Sequence, residues 1–96
     1  MTTKVIFRRF TDGDKETIAL FPELPGTNDP STCLSYMHMG QHGAADIYPY
    51  STVPAKPAEY AELLSELVSV GYDDLKVCHR ATYGDYNARR REISHA

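Results

Sequence analysis

The chain has 96 residues, 42 % hydrophobic and 24 % charged, a size and balance that suit one globular domain with a single core and exclude a disordered chain. Its formal net charge of −3 has the wrong sign for a general nucleic-acid binder and is too small to imitate a DNA backbone. No apolar run approaches the ~20 residues that cross a bilayer, and MTTKVIFRRF passes straight into a strand pattern without a secretory apolar core, so the protein is expected in the cytosol, alone or as a small oligomer.

Lys4 to Phe10 is rich in β-branched and aromatic residues, Asp12-Gly13 signals a turn, and Thr17 to Phe21 resumes the same character. That pattern predicts a hairpin. Pro22 and Pro25 end the second strand, because a prolyl nitrogen donates nothing to a ladder, and Pro25 to Ser31 reads as a turn-rich loop. Thr32 to Met39 alternates, with Cys33, Ser35, Met37 and Met39 on one face and Leu34, Tyr36 and His38 on the other. Neither face is purely polar, so this strand is expected inside the sheet. Gly40 to Pro54 has no sustained period and is expected to be irregular, which in so small a domain points to function or mobility.

The clearest signal is KPAEYAELLSELVSVG, where Tyr60, Leu63, Leu64, Leu67 and Val68 recur at helical spacing while Glu59, Glu62 and Glu66 occupy polar positions. Pro57 suits the first turn and Gly71 the position just past the end. Asp74 to Thr82 alternates again, Leu75, Val77, His79 and Ala81 against Lys76, Cys78, Arg80 and Thr82, and predicts the last strand. A short terminal helix capped by Asp85 follows, with Arg89 to Arg91 solvated. The fold class is therefore α+β: a small, mostly antiparallel sheet in the order strand, strand, strand, helix, strand, with one long helix packed on a face, all in one domain over residues 1–96.

Chemistry concentrates in SYMHMGQHGAAD, Ser35 to Asp46. His38 and His42 stand four apart, a metal-ligand spacing on a helix, but Gly40 and Gly43 weaken a helix there, and a third ligand would have to come from Asp46, Cys33, Cys78 or His79. No nucleophile elbow, Walker loop or dinucleotide fingerprint is present, and Cys78 and His79, being adjacent on a strand, point to opposite faces. No catalytic residue, metal or cofactor is assigned. Cys33 and Cys78 are read as reduced, buried thiols.

What the region does offer is recognition. Seven tyrosines against three Phe and no Trp favour a surface that is apolar and hydrogen-bonding at once. Tyr36, His38, Gln41, His42, Asp46, Tyr48 and Tyr50, with Arg80, are the candidate ligand-binding set. If the first and last strands are neighbours, Arg8, Lys76 and Arg80 add a basic patch able to meet phosphate or an acidic partner. The competing readings are a small metal-dependent hydrolase built on His38 and His42, and a structural subunit in which these side chains only satisfy one another.

The stretches KVIFRRFTDGD, IALFPELP and CLSYMHMGQHGAAD, followed by PAEYAELLSELVSVGY, resemble a group of small proteins encoded by phages, plasmids and integrated mobile elements of gut bacteria, and the likeness spans nearly the whole chain. It implies a genetic setting in which single-domain proteins act by binding, as inhibitors of a host defence protein or as traps for a nucleotide signal. It transfers no catalytic or binding residue.

Overall fold

A computed structural model describes residues 2–13, 16–38 and 41–95, the side chains of Gln41 and His95 excepted. The architecture is α+β, a six-stranded, mostly antiparallel sheet with two helices. The strands are β1 (Thr3–Phe10), β2 (Thr17–Phe21), β3 (Thr32–Met37), β4 (Gln41–Asp46), β5 (Thr52–Pro54) and β6 (Leu75–Cys78), and the helices α1 (Pro57–Ser69) and α2 (Tyr83–His95). Their spatial order is β4-β3-β2-β1, and β5 and β6 share the remaining side of β1. β5 runs antiparallel against Arg8 to Phe10, whereas β6 runs parallel against Thr3 to Ile6.

The first hairpin forms as its sequence predicts, with Gly13 at φ +60° in the turn and the Phe10 N–H donating to the Glu16 carbonyl at 2.9 Å. β1 and β2 are buried on both faces. Val5, Phe7, Ala19, Phe21 and Tyr36 turn to one side and pack under Leu63 and Leu67 of α1. Ile6, Ile18, Leu20 and Cys33 turn to the other. The alternation expected for β3 holds through Met37, and β3 lies inside the sheet between β2 and β4; Met39 and Gly40 fall outside the described residues. On α1, Tyr60, Leu63, Leu64 and Leu67 face the sheet, the Tyr60 ring stacking on Phe7 at 4.3 Å, while Val68 stays exposed.

Three expectations are corrected. Gly40 to Pro54 is not irregular throughout: among its described residues Gln41–Asp46 form β4 and Thr52–Pro54 form β5, and only Ile47 to Ser51 lack regular structure. QHGAAD has a glycine, two alanines and no apolar alternation, so its strand state comes from pairing all of Gln41 to Asp46 with β3 and not from local propensity. The element order is therefore five strands, a helix, a strand and a helix, with two helices of 13 residues each in place of one long one. β6 ends at Cys78, leaving Arg80 beyond it, and Lys76 pairs with Lys4 while Arg8 pairs with Pro54, so Arg8 and Lys76 lie at opposite ends of β1 and form no joint patch.

The second helix is anchored by polar groups. Thr82, not Asp85, caps it: the Asp85 N–H donates to Thr82 Oγ1 (3.2 Å) and Asp85 Oδ2 accepts from the Thr82 N–H (2.9 Å), a reciprocal capping box. Asp85 is 1 % exposed and its Oδ1 accepts from Lys4 Nζ at 2.9 Å. One turn further, Arg89, expected in solvent, is 3 % exposed. Its Nε and Nη1 donate to the carbonyls of Pro30 (3.0 Å) and Pro22 (2.5 Å), tying α2 to both ends of the β2–β3 loop. Lys4 shares a face of β1 with Ile6, so α2 covers the side of the sheet opposite α1. Among the described residues no helix is long and apolar enough to cross a membrane.

Two predictions follow from this packing. A Cβ on Gly26 would sit 2.6 Å from both the Ala44 Cβ and the Cys33 carbonyl oxygen, so Gly26→Ala should cost about 1–3 kcal/mol in urea unfolding, the range of core overpacking. Burial pushes the Asp85 carboxyl up, but Lys4 and the Thr82 N–H together hold it below its ordinary 3.8, and Asp85 in turn raises Lys4 above 10.5. A depressed carboxylate stabilises the fold above pH 3.8 and loses that contribution as pH falls through its lower folded value. Asp85→Asn should therefore lower stability by about 2 kcal/mol at neutral pH, with the gap to the parent narrowing in acid, as thermal melts from neutral pH down to about pH 2 would record.

Candidate functional site

The β3–β4 register sets His42 directly across from Tyr36, on the face that α1 covers. The end of α1 then supplies the remaining members. The Gly71 and Tyr72 N–H groups donate to the carbonyls of Val68 (3.2 Å) and Leu67 (3.0 Å), a helix stop that requires the left-handed φ of +120° found at Gly71. This turn aims Tyr72 back over the sheet, where its ring stacks on Phe21 at 4.9 Å and its hydroxyl lies 2.8 Å from His42 Nε2. Burial raises the Tyr72 hydroxyl above its ordinary pKa. The His42 ring meets Tyr36 edge to face at 4.8 Å.

Glu66, one turn before the stop, joins the two remaining groups. Its Oε2 accepts from the Tyr36 hydroxyl at 2.5 Å and its Oε1 lies 2.6 Å from His38 Nδ1. Tyr36 is 1 % exposed, but the His38 side chain is 74 % exposed. A single carboxylate thus ties a buried phenol to a surface imidazole and leaves His38 Nε2 as the nitrogen that faces outward. Next to His38 is a cavity of about 240 Å³ lined by Glu16, Thr17, Glu59, Glu62 and Leu63. Three carboxylates give it a negative wall. Arg9 Nε approaches Glu59 Oε2 to 2.7 Å as an ion contact without hydrogen-bond geometry.

A second constellation lies on the opposite face. Ile47 packs into the core on the α2 side of the sheet, so the chain leaving β4 crosses that face before β5 joins β1 at the far edge. Tyr48 sits under the Arg8 guanidinium, 5.1 Å from its ring, and its hydroxyl accepts from the Ala81 N–H at 2.9 Å. Arg8 also donates through Nε and Nη2 to Thr52 Oγ1 (3.1 Å) and the Thr52 carbonyl (2.9 Å), and Thr52 Oγ1 donates to the Pro49 carbonyl at 2.6 Å. The Ser51 carbonyl accepts from the N–H (2.9 Å) and the Oγ1 (3.1 Å) of Thr11. Ser51 itself holds a φ of +61°, which costs a non-glycine residue about 1 kcal/mol or more. On this braced turn Tyr50 stands 93 % exposed.

The candidate set therefore separates into two places. Tyr36, His38 and His42 meet at the β3–β4–α1 corner, and Tyr36 there is a buried strut with no free ring face. Tyr48, Tyr50 and the exposed Arg80, which precedes the Ala81 that Tyr48 holds, gather at the turn before β5. Asp46 ends β4, exposed, opposite Thr32. The side chain of Gln41 lies outside what is described, though its backbone pairs with Met37. Glu66 and Tyr72 lie outside that set. Glu66 reads as one more solvent-side glutamate of an amphipathic helix; its only signal is its position directly before Leu67 on the flank of the apolar stripe.

His38 Nδ1 and His42 Nε2 are engaged by Glu66 and Tyr72, and among the described residues no three His, Cys, Asp or Glu side chains gather as a metal site. Cys33 is buried and its thiol is pushed up to about 11 by that burial, a poor nucleophile; Cys78 is half-buried, not sealed in the core. No protein-family model, curated protein or solved structure matches the chain.

The Tyr36–Glu66 contact gives a direct check of this geometry. Tyr36→Phe and Glu66→Gln, alone and combined, should return a coupling free energy of about 1 kcal/mol or more in a urea double-mutant cycle, because a buried hydroxyl and a carboxylate share one short bond. Strict additivity of the two changes would contradict it.

Proposed function

We propose that the chain is a binding protein that docks a protein partner through the turn bearing Tyr48 and Tyr50, with Arg80 beside it. The observation that carries this reading is Tyr50, 93 % exposed on a turn braced from both sides by Arg8 and Thr11 and strained at Ser51. A large aromatic held in solvent costs the protein solubility, and a rigid mount lowers the entropy lost when it enters a partner's pocket. Tyr and Arg are also the residues most often found at the energetic centre of protein interfaces.

A nucleotide ligand has less in its favour. The Tyr48 ring is taken by Arg8, the Tyr36 ring is inside the core, and the cavity beside His38 presents glutamates that repel phosphate. The resemblance to proteins of phages and mobile elements makes a host defence protein the partner class we propose, met in the host cytosol, with blockade of its activity as the outcome.

The test is affinity purification of the full chain from its host, followed by native mass spectrometry. A protein partner should co-purify, Tyr50→Ala and Arg80→Ser should each reduce its recovery at least roughly fivefold, the loss of about 1 kcal/mol that an interface anchor carries, and Glu62→Gln on the α1 side should leave recovery unchanged. Equal capture by the Tyr50→Ala, Arg80→Ser double variant, or a bound nucleotide in place of a protein, would overturn this assignment.

A further inference from the structure

We infer that β4 is a dimerisation edge, where a second copy of this chain adds its own β4 in antiparallel register about a two-fold axis through Ala44. The inference is independent of the Tyr50 turn, which lies beside β5 at the opposite edge of the sheet.

The two edges are built differently. The outer side of β1 is divided between β5, three residues ending in Pro54, and β6, four residues that include Lys76. Short strands, proline and lysine are the usual guards against a foreign strand. β4 carries none of these. It pairs with β3 through six consecutive residues without a bulge, contains neither proline nor lysine, and no described strand pairs with its outer side. Gly43, Ala44 and Ala45 put little bulk in the way of an approaching backbone. The unused N–H and C=O groups along such a strand form a ready ladder for another one.

The placement of a carboxylate and an imidazole along β4 selects a second copy as the occupant. When a strand pairs antiparallel with itself, the two-fold passes through a residue, because opposed residues share one hydrogen-bonding orientation. An axis through Ala44 sets Gly43 opposite Ala45 and His42 opposite Asp46, and symmetry makes each contact twice. His42, Ala44 and Asp46 alternate onto one face, lying across from Tyr36, Leu34 and Thr32 of β3, so the opposed imidazole and carboxylate come within reach of each other. Asp46 is exposed and its carboxylate has no hydrogen bond or ion pair among the described residues, and His42 is exposed with its ring already oriented by Tyr72 and Tyr36. An axis through Gly43 would set His42 against Ala44 and form no such pair. The dimer through Ala44 presents two Tyr50 turns at its two outer ends, a bivalent arrangement that can raise the avidity for a multimeric target.

Sedimentation velocity on the full chain from about 5 to 500 µM tests this. The parent should show a concentration-dependent dimer. Each of two variants should weaken it roughly tenfold or more, His42→Asp by opposing two carboxylates and Asp46→Arg by removing the acceptor that the imidazole faces. The double variant His42→Asp, Asp46→Arg should restore it, because the carboxylate then at position 42 faces the guanidinium at position 46. Tyr50→Ala should dimerise like the parent, and circular dichroism melts should show every variant folded. A parent that stays monomeric over the whole range, a dimer that Asp46→Arg leaves intact, or a folded double variant that dimerises no better than the single ones would overturn the inference.

Discussion

The constraint on which this molecule rests is that β1 and β2 must be covered on both faces. Val5, Ile6 and Phe7 are consecutive and all buried, as are Ala19, Leu20 and Phe21, so neither side of the central ladder can face water. One helix cannot cover two faces. α1 takes the side of Val5 and Phe7, and the side of Ile6 and Leu20 is closed by α2 together with the chain that crosses from β4 to β5. Both candidate sites follow from that division, one at the end of α1 and the other on the crossing segment.

The two covers are held by different physics. α1 docks by apolar area, with Tyr60, Leu63 and Leu67 against the sheet. α2 turns an aspartate and an arginine inward at positions one turn apart, and each is buried only because its partners are already there: Lys4 and the Thr82 N–H for Asp85, two loop carbonyls for Arg89. Such contacts add less net stability than a packed leucine, but they are directional. They fix where α2 lies, and through Pro22 and Pro30 they also fix the loop that brings Gly26 down onto Ala44 of β4.

Rigidity in the two constellations has specific local sources. At the β3–β4–α1 corner it comes from the left-handed Gly71, without which Tyr72 would not return over Phe21 to reach His42, and from Glu66, which gives one buried and one exposed group a common anchor. In the Tyr50 turn it comes from Arg8 and Thr11 bonding the loop carbonyls while Ser51 holds a conformation that an unbraced serine seldom adopts. In both cases the side chain that faces solvent is positioned before any partner arrives, so less conformational entropy is lost on contact.

The sequence by itself determined the first hairpin, the inner position of β3, α1 with its start at Pro57 and stop at Gly71, and the α+β class, because each is written in local patterns: alternation, helical spacing, and residues whose backbone freedom is unusual. Only the tertiary structure decided that QHGAAD is a strand, that Asp85 and Arg89 point inward, that Glu66 belongs to a site, and that six of the eight candidate residues divide between two places. The reason is the same in each instance. A strand of glycine and alanine exists through its ladder partner, a buried charge through its counter-group, and a site through the register of strands and the angle of a helix end, and none of these partners is near in sequence.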